Sequence, residues 1–132
     1  MATLAPLLEA FLTDDLMAQR HASPNTVTAY RDTFRLLLVF TRDRTGKPPQ
    51  TMDITDWDVP LISAFLRHLE ADRGNAVTTR NARLAAIHSL FVFAALRHPE
   101  HGGLIQRVLA MPPKRCDQPG VCFLTAAETN AL

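Results

Sequence analysis

The chain has 132 residues, of which 47% are hydrophobic and 20% are charged, a composition that suits one folded domain and excludes a disordered chain. No apolar run is long enough to span a membrane, and the first residues carry no basic group ahead of their apolar stretch, so they do not resemble a secretory signal. These features predict a cytoplasmic protein with no membrane partner.

Charge is distributed unevenly along the chain, although its formal net value is only +1. Residues 1–72 carry seven basic and ten acidic side chains, a balance of −3, whereas residues 73–115 carry seven basic and one acidic, a balance of +6. Residues 74–97 contain no acidic side chain. A chain of this kind can present one basic face to a polyanion while its total charge stays near zero.

Apolar residues at helical spacing predict a first helix over residues 4–19 and a second from residue 24 to about residue 42. Ser23 is placed to cap the second helix, with Pro24 as its first residue. Gly46 and the two prolines that follow Lys47 are expected to end it.

A third helix is predicted after Asp58, which would cap it, while Trp57 and Ile62 would pack together as a hydrophobic staple. After Gly74, a fourth helix is expected over residues 78–97, with a basic beginning and an apolar end. A short fifth helix follows over residues 104–111. No segment shows a strand pattern, so the sequence predicts an all-α, four-helix bundle with a short fifth helix.

The last part of the chain differs in composition. Residues 114–122 predict a linker, and Thr125 with Glu128 forms a capping box that would begin another helix. The expected organisation is a helical domain over residues 1–113, the linker, and the start of a second, missing domain over residues 123–132.

Five segments in this order resemble the N-terminal core-binding, SAM-like domain of the tyrosine recombinases, also called phage integrases. They are SPNTVTAYRDTFRLLLVF (23–40), DWDVPLISAFLRHLEADRG (56–74), TTRNARLAAIHSLFVF (78–93), PPK (112–114) and FLTAAETNAL (123–132). The resemblance implies that the domain forms half of a clamp around duplex DNA, and that the catalytic tyrosine lies in a separate C-terminal domain. It also implies an inert fragment, no metal or nucleotide cofactor, and a homo-oligomer (a synaptic tetramer) on DNA.

By position match, the resemblance places DNA contacts on the second helix, the fourth helix and the linker. The implied contacts are Ser23, Asn25, Thr28, Arg31, Arg35, Thr79, Arg80, Asn81, Arg83, Lys114 and Arg115. Physical reasoning supports a basic helix start as a phosphate site, because its free N–H groups and positive dipole attract anions. Ala76 stands where the family usually has a capping Ser or Thr, which leaves Asn75 or Thr78 to cap the fourth helix.

Several residues that could suggest other chemistry have simpler interpretations. Tyr30, the only tyrosine, is expected in the core. His98 and His101 are expected in a plain loop, because no third metal ligand is near in sequence. Cys116 and Cys122 are expected to be free thiols.

Phe91 and Phe93 lie about 200° apart on one helix and cannot face the same core. Either one is exposed and meets another subunit or the missing domain, or the fifth helix covers it. A second functional hypothesis also remains: a helical protein-interaction module whose basic side meets an acidic partner.

Overall fold

The computed structural model describes residues 3–19, 21 and 23–114. Residues 115–132 lie outside the described residues, and with them both cysteines, the predicted linker except Lys114, and the Thr125–Glu128 capping box. The described part is all-α, without a strand, as predicted. Its helices are α1 (Leu4–Ala10), which continues as a π-helical segment (Phe11–Gln19), α2 (Pro24–Thr45), α3 (Val59–Ala71), α4 (Val77–Arg97) and α5 (Gly102–Leu109).

The first helix has the predicted span but two geometries. Its α-helical part ends at Ala10, and the wider π-type winding runs from Phe11 to Gln19. Leu7, Leu8 and Phe11 are buried on its inner side. The apolar spacing predicted a helix here but did not predict the change of winding, since π-helical segments are rare.

The predicted caps of α2, Ser23 and Gly46, are confirmed, although the helix continues to Thr45, past its predicted end at about residue 42. The Ser23 hydroxyl accepts a hydrogen bond from the Thr26 N–H at 3.2 Å. At the other end Gly46 adopts a left-handed conformation with φ of 79° and donates its N–H to the Arg42 carbonyl at 2.8 Å. Glycine takes this conformation without the steric penalty that a Cβ brings.

The connection to α3 contains two short 3-10 turns (Pro49–Thr51 and Ile54–Asp56) rather than a plain loop. Trp57 follows them and is fully buried, and its indole N–H donates to the Thr41 hydroxyl at 2.9 Å. Asp58 caps α3 as predicted by accepting from the Leu61 N–H at 3.0 Å.

The predicted cap of α4 is wrong. Ala76 occupies the cap position, and no side chain caps the helix. Asn75 instead ends the preceding helix, because its N–H donates to the Leu69 carbonyl at 2.9 Å next to Gly74, whose φ is 65°. Thr78 lies inside the first turn of α4. The first N–H groups of α4 therefore lack a side-chain acceptor.

Helix α4 is the centre of the bundle, since it contacts α2, α3, α5 and the π-helical segment. The fifth helix begins two residues earlier than predicted, because a 3-10 turn (Pro99–His101) leads directly into it. The His88 side chain joins the two helices through its Nε2, which lies 3.0 Å from the Val108 carbonyl oxygen.

The expectation that Phe91 and Phe93 cannot face the same core is wrong, because both side chains pack against it. Phe91 is fully buried, whereas Phe93 is partly buried beside the core. The Phe93 ring lies 5.5 Å from the Phe11 ring, and the guanidinium of Arg97 lies 4.7 Å above it. The N-terminal helix and Arg97 thus cover Phe93. Tyr30 packs against the core as predicted, with its ring 6.1 Å from Phe11.

Candidate nucleic-acid interface

A groove of about 400 Å³ runs between α2 and α4. Two side-chain pairs cross it: Thr33 with Arg83, and Tyr30 with Ser89. Since residue numbers rise along α2 while their partners fall along α4, the two helices run in opposite directions. Their N-termini, each a partly positive site, consequently lie toward opposite ends of the groove. Its lining residues are Ala29, Tyr30, Asp32, Thr33, Thr78, Thr79, Ala82, Arg83 and Ala86.

Arg83 is held in place within this groove. Its Nη1 donates to the Thr33 hydroxyl at 3.0 Å. Thr33 is 2% exposed, and its hydroxyl in turn donates to the Ala29 carbonyl at 3.0 Å. Among the described residues, Arg83 forms no ion pair, so its charge is not neutralised by a carboxylate contact. Sequence reasoning did not identify Thr33, because its partner is 50 positions away.

The beginning of α4 carries two more of the predicted contacts. Thr79 is exposed in the first turn and also lines the groove. Arg80 is partly buried and donates from Nη1 to the Asn81 side-chain oxygen at 2.9 Å. The uncapped N–H groups of this turn and the two arginines give the start of α4 a positive potential.

The arginines of α2 lie on another side of that helix. Successive helical residues are rotated by about 100°, so Arg31 lies about 160° from Thr33. Arg31 and Arg35 border a second groove of about 330 Å³ between α1 and α2, whose floor includes Leu8 and Leu12. Arg35 also lies 3.7 Å from Asp32 in an exposed ion pair. The sequence predicted one basic face. In the structure the predicted arginines border two grooves, one on each side of α2.

The exposed ridge of α2 separates these two grooves. Asn25 and Thr28 are exposed on it, and Ser23 is exposed at its N-terminus, where its hydroxyl also caps the helix. All three predicted residues are thus accessible at the end of α2 that lies away from the start of α4.

Asn81 and Lys114 contact each other rather than standing apart on the surface. The Asn81 side-chain amide donates to the Lys114 carbonyl at 2.9 Å, and its oxygen accepts the Lys114 N–H at 2.8 Å. The Lys114 ammonium donates to both carboxylate oxygens of Glu70, at 2.9 and 3.1 Å. Their roles as DNA contacts stay predictions, and Arg115 lies outside the described residues.

The loop histidines lie beside one carboxylate. His98 and His101 are 3.4 and 4.0 Å from a Glu100 oxygen. Over residues 3–19, 21 and 23–114, no three metal-ligating side chains are grouped to hold an ion, and no helix is long and apolar enough to cross a bilayer.

Comparison with known proteins decides the family. The model of the phage integrase N-terminal SAM-like domain matches residues 8–98, more than half of the chain. The chain belongs to this family. The match covers α2, α3 and α4 completely, and with them both grooves and the predicted helical contacts. The all-α fold of the described residues therefore agrees with the SAM-like domain that the resemblance implied.

Two curated proteins of Sinorhizobium fredii (strain NBRC 101917 / NGR234) are similar to the chain, and their names assign them provisionally as integrases/recombinases. One, y4rC, is 53% identical over 131 residues, and the other, y4rD, is 45% identical over 129 residues. The alignments include 99% and 98% of this chain but only 40% and 46% of the relatives. The chain thus spans less than half the length of either. No solved structure matches the chain.

Proposed function

We propose that this domain binds duplex DNA as the N-terminal arm of a tyrosine-type site-specific recombinase or integrase. The observation that carries the proposal is the arrangement of Arg83, which Thr33 holds at the groove between α2 and α4. A positioned guanidinium near an uncapped helix start suits a phosphate, because it combines charge with donors of fixed direction. Family membership makes DNA the appropriate polyanion.

In this proposal the duplex lies across the exposed ridge of α2 and the first turns of α4. One stretch of phosphate backbone contacts the start of α4, at Thr79, Arg80 and Arg83. Another stretch contacts the N-terminal end of α2, at Ser23, Asn25 and Thr28. Arg31 and Arg35 reach phosphates from the far side of the ridge, and Lys114 and Arg115 follow the backbone along the linker. Most of these contacts position the duplex, since phosphate contacts carry no base sequence.

The reaction of the intact protein extends the proposal. Other copies of the protein would assemble on the DNA, and strand cutting and rejoining would use a tyrosine in a C-terminal catalytic domain. In that arrangement the present domain clamps DNA and does not cut it. Working on DNA would place the protein in the cytoplasm, at the nucleoid.

Salt-dependent binding tests the proposal. Affinity for a fluorescent duplex should fall steeply between about 50 and 200 mM salt, because binding releases phosphate-bound counterions and this release is less favourable at higher salt. The Arg83→Ala substitution should weaken binding and lower the slope of log affinity against log salt by about one. Arg67→Ala is the matched control, because Arg67 is an exposed arginine on α3, outside both grooves.

Two results would overturn this function. One is an absence of salt-dependent affinity for duplex DNA at low ionic strength. The other is an equal slope for the Arg83 and Arg67 variants. Tighter binding to a polyglutamate chain than to the duplex would instead support the interaction-module hypothesis, in which the basic side meets an acidic protein.

A further inference from the structure

We propose that Asn81 is a positioning residue that clamps the start of the linker to the beginning of α4. The three residues Asn81, Lys114 and Glu70 are called the linker clasp below. The inference goes beyond the DNA-binding function, since it assigns to Asn81 a task within the protein. Its consequence for DNA binding rests on the proposed function, but the clasp itself does not.

The hydrogen bonds of Asn81 carry the argument. Its side-chain amide donates to the Lys114 carbonyl at 2.9 Å, and its oxygen accepts both the Lys114 N–H at 2.8 Å and the Arg80 Nη1 at 2.9 Å. An asparagine side chain offers two N–H donors and two oxygen lone pairs, so three of its four positions are used. Recognition of adenine needs the amide and the oxygen together. Both of these atoms already face Lys114.

The two hydrogen bonds from Asn81 also fix the path of the backbone at Lys114. Asn81 holds the N–H and the carbonyl of the same residue, which constrains the chain on both sides of the Lys114 Cα. The two residues are 33 positions apart, and Pro112 and Pro113 restrict the backbone just before the contact. The chain therefore leaves the helical domain beside the first turns of α4, where the proposed DNA interface lies.

Glu70 completes the clasp from the end of α3. Its side chain is 24% exposed and lies 2.9 Å from the Lys114 ammonium, whose side chain is 52% exposed. The ion pair orients the lysine ammonium toward the end of α3, while about half of the side chain stays exposed. A partly exposed pair adds little stability by itself, so the two backbone bonds to Asn81 hold the linker and Glu70 orients the side chain.

Amide hydrogen exchange at Lys114, measured by NMR on the whole chain without DNA, tests the clasp. The Asn81→Ala substitution removes both backbone bonds and should speed exchange of this amide roughly tenfold. Trypsin should also cleave the Lys114–Arg115 bond faster. Asn81→Asp should have a smaller effect, because the carboxylate still accepts the Lys114 N–H but cannot donate to its carbonyl.

Two further variants test whether faster exchange at Lys114 is specific to the loss of the Asn81 bonds. Gln106→Ala removes an exposed side-chain amide from α5 and should leave exchange at Lys114 unchanged. Glu70→Gln should also leave this amide protected, because the bonds from Asn81 remain. Asn81→Asp keeps the test decisive if the alanine variant is unstable. Wild-type exchange at Lys114 in both Asn81 variants, or equal acceleration by Gln106→Ala, would overturn the proposal, whatever the DNA measurements show.

Discussion

Thr33 and Arg83 join the two longest helices of the domain through one hydrogen bond of 3.0 Å. The threonine is buried and the arginine reaches the groove, so the pair connects the core to the proposed DNA surface. The buried hydroxyl fixes one end of the guanidinium before any phosphate arrives. Such preorganisation reduces the side-chain entropy lost on binding.

The Thr33→Val substitution should therefore separate the effect of the position of the Arg83 guanidinium from the effect of its charge. Valine keeps the shape but loses the acceptor of Arg83, and we expect a loss of about 1 kcal/mol in the free energy of unfolding. Duplex affinity should fall while the salt slope stays at the wild-type value, because the charge of Arg83 remains. Urea denaturation and fluorescence anisotropy measure the two effects. Thr33→Ser keeps the hydroxyl and is the control; a changed salt slope in the valine variant would contradict this explanation.

Ser23 caps α2 and is also proposed to contact DNA, and two substitutions can distinguish these two roles. Ser23→Ala should lower the free energy of unfolding by about 1 kcal/mol, because the Thr26 N–H loses its acceptor. Ser23→Asp should keep the cap and suit the helix dipole, yet it should weaken duplex binding through repulsion of phosphate. Thermal unfolding and anisotropy on both variants check this. Unchanged duplex affinity for the aspartate variant would place Ser23 away from the DNA.

Local signals in the sequence predicted much of the fold. The caps at Ser23 and Asp58 and the stop at Gly46 are each determined by residues within a few positions, so they could be predicted and are confirmed. The missing cap of α4 could not, because whether Asn75 caps α4 or ends α3 depends on how the two helices meet. The partners of Arg83 and Asn81 lie 50 and 33 positions away, and only tertiary packing reveals them.

The candidate site shows the same limit. The resemblance implied Arg31, Arg35 and Arg83 as DNA contacts on two helices. It could not show that Arg31 borders the α1–α2 groove while Arg83 lies in the α2–α4 groove, since that depends on which neighbours flank α2. Charge counting likewise predicted a basic segment but not the Glu70 carboxylate beside Lys114, which comes from the acidic half of the chain.

His88 predicts a dependence of stability on pH. Burial lowers the pKa of His88 below the usual 6.5 of histidine, and the hydrogen bond to the Val108 carbonyl opposes this only in part. The folded protein thus favours the neutral ring, with Nε2 as donor. The full contribution of His88 to stability is present above pH 6.5, the pKa of this histidine in the unfolded chain. It is lost as the pH falls below that value and through the lower pKa of the folded state.

The His88→Gln substitution isolates this effect from the other histidines. Glutamine can donate to Val108 but cannot titrate, so the difference in free energy of unfolding between wild type and variant should change between pH 7 and pH 5. Urea denaturation at a series of pH values measures it. A difference that stays constant over this range would show that His88 does not have a lowered pKa in the folded protein.

Trp57 and Thr41 form a buried polar pair that should be essential to the loop before α3. Both residues are 0% exposed, and the indole N–H has the Thr41 hydroxyl as acceptor at 2.9 Å. Thr41→Val leaves that buried N–H without its acceptor, which should cost about 1–3 kcal/mol. Thr41→Ser keeps the hydroxyl and loses only a methyl group. Because Trp57 is the only tryptophan, its fluorescence reports unfolding directly. The valine variant should unfold at a clearly lower urea concentration than the serine variant, and equal midpoints would mean that the hydrogen bond contributes no net stability.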